Sequence, residues 1–195
     1  MSNRRTSEAC TSVRVVRRVV VYELLSLDGI GHDPDEFITD WDEAMDANLA
    51  EVISTQDAVI LGRLSFEEWA DFWPTSDVEP FATFINGVRK YVVTHKPLQR
   101  EWANSSAVDG RLIDFITDLK KQPGGDIGAH ASISVARKLL GMRNVVDELR
   151  LVVAPRTVGS DDERVLDSRS LEVEPIRITT SPSGYLLANY RVVRS

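Results

Sequence analysis

Arg17-Arg18-Val19-Val20-Val21-Tyr22-Glu23-Leu24-Leu25, closed by Ser26-Leu27-Asp28-Gly29, is the stretch from which the fold reads. A short β-branched run that stops at Asp-Gly reads as a buried strand. Ser26 to Asp40, with Gly29, Gly31 and Pro34, reads as a long loop. Trp41 to Ser54 follows as a helix, with Met45, Leu49, Val52 and Ile53 on one face. Asp57 to Leu61 is a second short strand ending at Gly62. Ser65 to Phe72 is a helix, and Ser65 with Glu68 has the spacing of a capping box. Pro80–Gly87 (helix), Arg89–Thr94 (strand) and Arg111–Lys121 (helix) come next, and Pro123-Gly124-Gly125 breaks the last of them. Asp126–Ala131 then reads as a strand and Ser132–Met142 as a helix. Beyond that the pattern turns strand-rich: Val145–Ala154, Leu171–Thr179 and Tyr185–Val193, the last two joined by a turn at Ser181-Pro182-Ser183-Gly184. Strand–helix alternation predicts an α/β fold, a mostly parallel central sheet covered on both faces. The last hairpin predicts an antiparallel edge on the same sheet.

The 195 residues carry 23 Lys+Arg against 30 Asp+Glu, a formal net charge of -7. That length fits one domain. Residues 1–14, polar and without periodicity, are expected to form a flexible tail, and 15–195 the domain. The acidic balance disfavours a nucleic-acid or membrane-surface binder, which needs a broad positive field. Cys10 is the sole cysteine, which excludes an internal disulfide framework and a Cys-rich zinc site. A cytoplasmic setting is expected. No apolar run approaches the ~20 residues of a membrane span, and Met1 to Val13 lacks the apolar core of a secretory signal.

No Gly-x-Ser-x-Gly elbow and no Gly-x-x-x-x-Gly-Lys-Ser/Thr loop occur, which removes the serine hydrolases and nucleotidases built on them. His32, His95 and His130 are too scattered for a metal motif, and no metal is expected. Three strand ends carry small or basic residues. Gly128-Ala129-His130-Ala131-Ser132-Ile133 leaves a strand and enters a helix, so backbone N–H groups and small side chains suit a phosphate there. Leu61-Gly62-Arg63-Leu64-Ser65 has the same order and adds a guanidinium. Thr94-His95-Lys96 follows the next strand. Ligands of open α/β sheets sit at such carboxyl ends.

These segments, with Gly124-Gly125-Asp126-Ile127 and Val146-Asp147-Glu148-Leu149-Arg150-Leu151, resemble the dihydrofolate reductase-like superfamily. The chain is most similar to stand-alone relatives of the C-terminal reductase domain of bifunctional riboflavin-biosynthesis deaminase–reductases. The resemblance spans about Arg17 to Val193. It implies a three-layer fold, NADPH as cofactor, a small-molecule substrate and a homodimer. It implies that Ile30 and Gly31 lie in the loop over the nicotinamide, and that Gly62, Arg63 and Ser65 meet the cofactor phosphates. Thr94, His95 and Lys96 would approach the 2′-phosphate, and Ala131, Ser132 and Ile133 the pyrophosphate. Ala131 stands where many relatives have glycine, and His95 where many have arginine. The reaction implied resembles that of 5-amino-6-(5-phosphoribosylamino)uracil reductase. The rival reading is a non-catalytic nucleotide- or ligand-binding protein on the same fold. For proton delivery the candidates are Asp28, as a substrate contact, and Asp46, as the acid on the helix after the first loop. Asp42, one turn earlier, is a further candidate, expected to be the more buried of the two.

Overall fold

The computed structural model describes residues 17–159, 164–166 and 170–193. The tail expected at 1–14 lies outside them. Strand β1 (Val19–Leu25) leads through a 3-10 turn at Pro34–Glu36 to helix α1 (Glu43–Ile53) and strand β2 (Gln56–Gly62). Helices α2 (Arg63–Phe72) and α3 (Phe81–Gly87) precede β3 (Arg89–Val93) and β4 (Ser105–Ala107). Then come α4 (Leu112–Lys121), β5 (Asp126–His130), α5 (Ile133–Leu140), β6 (Glu148–Val153), β7 (Val173–Thr180) and β8 (Leu186–Val192).

The strands form one sheet in the order β4-β3-β2-β5-β1-β6-β8-β7. All neighbours run parallel except β6–β8 and β8–β7, the antiparallel end expected from the sequence. Strand β4 was not expected. Ser105-Ser106-Ala107 has no strand-forming side chain, and it is extended because it pairs with Lys90, Tyr91 and Val92 of β3.

Period-two alternation sends Val19, Val21 and Leu25 of β1 to one face of the sheet. There they pack with Leu112, Ile116 and Leu119 of α4 and with Val135, Ala136 and Leu139 of α5. Tyr22 faces the other way, into a core with Met45, Leu49 and Val52 of α1, Phe66 of α2 and Phe81 and Ile85 of α3. Each such side chain, fully buried, contributes roughly 1.5–3 kcal/mol. Three helices therefore cover one face and two the other, which is the three-layer dihydrofolate reductase-like arrangement.

The chain leaves β1 over the α1 face and leaves β5 over the α5 face. Adjacent strands with connections to opposite faces make a topological switch point, where an open sheet binds its ligand. Pairing of β1 with β5 ends at Tyr22 and His130, so Glu23, Leu24 and Leu25 extend past the end of β5. At the amino end of the same strands the sheet is closed by ion pairs: Arg18 holds both Asp126 and Glu148, Arg17 holds Asp57, and Lys120 holds Asp147.

Candidate functional site

Two helices begin at the switch point, and each starts without a side-chain cap. Gly62 is the N-cap of α2 and Ser132 of α5, and neither contributes a capping hydrogen bond to its own helix. The capping box expected at Ser65 and Glu68 does not form, because the helix starts two residues earlier, at Arg63. The Ser65 hydroxyl instead donates to the Ala131 carbonyl at 3.0 Å. Ser132, expected to cap α5, accepts the Gly62 N–H at 2.9 Å. The two serines thus tie the helix starts to each other rather than to themselves. First-turn N–H groups of both helices are left without side-chain acceptors, at the positive ends of two dipoles. That is the chemistry of an anion site. Arg63 stands beside it with its guanidinium bonded along α2 to Glu67 at 2.6 Å. Ile133 is the first residue of α5 and packs against the core. Ala131 joins the strand to the helix at φ 46.

The loop after β1 folds back on the strand. Ser26 donates to Asp28 at 2.6 Å and accepts the Ile30 N–H at 3.0 Å. Asp28 also accepts the N–H groups of Val158 (3.1 Å) and Gly159 (2.9 Å). The Ser26 hydroxyl first, then the Gly159 N–H, pull its pKa down to about 2, so Asp28 is an ionised acceptor. Ile30 is buried and bridges Arg164. Gly31 lies so close to β1 that an added Cβ would stand 3.2 Å from Leu25 Cδ2 and from Val165 Cγ2.

The other candidates occupy separate positions. Asp42 is the N-cap of α1: it accepts from Ala44 and Met45 at 3.0 Å each and from Ser183 at 2.9 Å. Burial works against its ionisation, but these donors, Ser183 foremost, hold its pKa at about 2. Asp46 is half-buried and accepts the Trp41 indole N–H at 2.6 Å, while Met45 beside it fills the core. Thr94 closes a local turn on Lys96, accepting its N–H at 3.0 Å, and leaves the His95 and Lys96 side chains exposed at the end of β3.

Sequence reasoning did not single out three buried polar side chains near the crevice. His130 is 2% exposed, with Nε2 2.7 Å from Gln56 Oε1 and its ring beside Tyr22, Phe81 and Phe84. Burial holds its pKa at about 3, so the imidazole is neutral. The bond to Gln56 passes directly over Gly128, whose Cβ, if present, would lie 2.0 Å from Gln56 Oε1. Asn48 of α1 is buried with neither amide atom bonded. Glu23 is 2% exposed, and its Oε1 has no hydrogen-bond partner. The only available signal was a charged residue inside an apolar strand.

Residues 17–187 match the family described as the RibD C-terminal domain. The chain belongs to that family. Among curated proteins none matches it. Its fold is shared with a pyrimidine reductase-like protein from Corynebacterium diphtheriae, at 14% identity and a TM-score of 0.66, covering 92% of this chain and 93% of that one. It is shared too with a diaminohydroxyphosphoribosylaminopyrimidine deaminase/5-amino-6-(5-phosphoribosylamino)uracil reductase from Thermotoga maritima, at 12% identity and a TM-score of 0.66. There the overlap is 91% of this chain but 57% of the longer, two-activity chain. Dihydrofolate reductase from Schistosoma mansoni overlaps 91% of this chain and 100% of its own, at 15% identity and a TM-score of 0.58. The chain is thus a RibD C-terminal-domain family member on a dihydrofolate reductase-like fold. No helix among its described residues is long and apolar enough to cross a membrane.

Proposed function

We propose that this protein reduces a small heterocyclic or carbonyl substrate with NADPH, in a reaction like that of 5-amino-6-(5-phosphoribosylamino)uracil reductase. The observation that carries this reading is the pair of uncapped helix starts at the switch point, cross-tied by Ser65 and Ser132. Backbone N–H groups of α2 and α5 fit a pyrophosphate, with Gly62 and Ala131 small enough for close approach. Arg63 adds charge there, and Lys96 with Thr94 and His95 supplies the exposed basic end of β3 for a 2′-phosphate. Bound across these ends, the cofactor supplies a hydride. Ile30 and Gly31 shape the loop at the ring end. Asp28, held ionised, fixes the Val158–Gly159 segment against that loop and so orders the substrate side. Asp46 is the proton donor carried over from the dihydrofolate reductases. Its bond to Trp41 favours the second reading, a nucleotide-binding protein without catalysis.

Titration with NADPH, followed by tryptophan fluorescence and by loss of absorbance with 5-amino-6-(5-phosphoribosylamino)uracil, separates the two readings. Binding with oxidation supports the reductase, and binding alone supports the second. Arg63→Ala should weaken NADPH about tenfold or more, as loss of a charge-assisted bond does. Lys96→Ala should weaken NADPH more than NADH. Equal losses would remove Lys96 from the 2′-phosphate. An unchanged rate and pH profile in Asp46→Asn would remove Asp46 as the acid.

The reading includes a homodimer. Strand β7 is the last in the sheet and is exposed along almost its whole length, with Ile176 and Ile178 each 48% exposed. A second copy covering Ile176 and Ile178 is the arrangement this edge suits.

A further inference from the structure

Glu23 lies at the one place in the sheet where β1 has lost its neighbour. The last β1–β5 pair is Tyr22 with His130, while on the other side Glu23 still pairs with Leu151 of β6. Alternation puts its side chain on the face of Val21 and Leu25, the face from which α5 starts. The face it shares is apolar: Val21 and Leu25 on β1 and Leu149 and Leu151 on β6 belong to the buried cluster there, which also takes in residues of α5 and Val165. Charged residues of the same elements lie elsewhere. Arg137 and Lys138 are in the last turn of α5, Glu148 and Arg150 are on the opposite face of β6, and Arg164 is exposed and donates to the Asp28 carbonyl. A carboxyl oxygen left unbonded in such surroundings is unfavourable unless a ligand satisfies it. Burial alone pushes the Glu23 pKa up to about 8, so the free protein holds it as the neutral acid.

Resting on the NADPH reading above, we propose that Glu23 is the charge partner of the nicotinamide ring, a neutral carboxyl beside the reduced ring and a carboxylate beside the oxidised one. The step balances. The substrate carbon of the C=N or C=O bond gains the hydride with its electron pair. Glu23 loses the proton of its Oε–H bond, and the substrate heteroatom gains a proton through solvent. The carboxylate left in the crevice offsets the positive charge of the oxidised ring, and solvent returns the proton when that ring leaves. An opposite charge within ~4–6 Å shifts a carboxyl by about 1–3 pKa units, enough to ionise this one.

The test needs no substrate. Calorimetry near neutral pH, in two buffers of different protonation enthalpy, counts the protons released as NADPH or NADP+ binds. The phosphates are common to both, so they cancel in the difference. Release of up to about one more proton with NADP+ than with NADPH is expected. Glu23→Gln, which keeps the shape and cannot ionise, should abolish that difference. It should also weaken NADP+ about tenfold while leaving NADPH within about twofold. Equal proton counts for the two forms in the wild-type protein would overturn the inference and leave the cofactor reading standing. So would a difference that survives in Glu23→Gln. Failure of both NADPH and NADP+ to bind would overturn the cofactor reading, and the inference with it. The wild-type count needs no variant, so it decides even if Glu23→Gln does not fold.

Discussion

Ala131 holds a left-handed backbone, φ 46, at the turn between β5 and α5. That conformation costs an L-residue about 1–2 kcal/mol, against about 0.5–1 kcal/mol of extra chain entropy for glycine. Ala131→Gly should therefore leave the urea midpoint unchanged or raise it slightly, and Ala131→Val should lower it. Two buried titratable groups set opposite pH limbs. His130 has a folded pKa of about 3, below its ordinary ~6.5. The stability it confers is present above ~6.5 and is lost as pH falls toward 3. Glu23, raised to about 8, confers stability below its ordinary ~4.3 that is lost as pH rises through 8. Urea midpoints measured across pH should show Glu23→Gln flattening the alkaline limb and His130→Gln the acid one. Strand-end residues such as Gly62, Ser65 and Ser132 were legible in the sequence as a group, but the partners of the serines were not. A serine before a helix reads as a cap because sequence shows only local acceptors. In the fold a neighbouring strand end competes and wins. Glu23 stayed hidden because its consequence depends on what covers it.

At the level of elements, α2 and α5 act as one unit through Ser132 and Ser65. Ser132→Ala leaves the Gly62 N–H without its acceptor inside the protein, at a cost of about 1–3 kcal/mol, read as a lower unfolding midpoint. It should also loosen the anion site, so NADPH affinity should fall with it. Strand β5 needs glycine at 128 for a related reason. The Gln56–His130 bond crosses that position, and a methyl group there would displace the Gln56 side chain. Gly128→Ala should break that bond and destabilise the protein by more than a surface change does. The helices and most strands were legible because their periodicity is strong: Met45, Leu49, Val52 and Ile53 announce α1. Strand β4 was not, since only its partner β3 makes it a strand.

The whole molecule is asymmetric along its strands, fastened by Arg17, Arg18 and Lys120 at one end and open at the other. It is asymmetric across the sheet too. The β4 edge is three residues long, too short to recruit another strand, whereas β7 presents Ile176 and Ile178. Ile178→Glu should convert a dimer to a monomer by light scattering with little loss of thermal stability; a wild-type monomer at micromolar concentration would count against the dimer. Strand β1, from which the fold reads, meets partners far along the chain: Arg17 bonds Gly125, 108 residues on, and Val19 bonds Asp147, 128 residues on. During translation, at roughly 5–20 residues per second, its Val-Val-Val-Tyr run emerges on the order of ten seconds before either neighbour exists. A strand buried at all but one of its positions in the finished protein is thus the longest exposed in its synthesis. A nascent chain stalled before Asp126 should bind hydrophobic chaperones through that run and be cut by protease there, and one extended past Val153 should resist both.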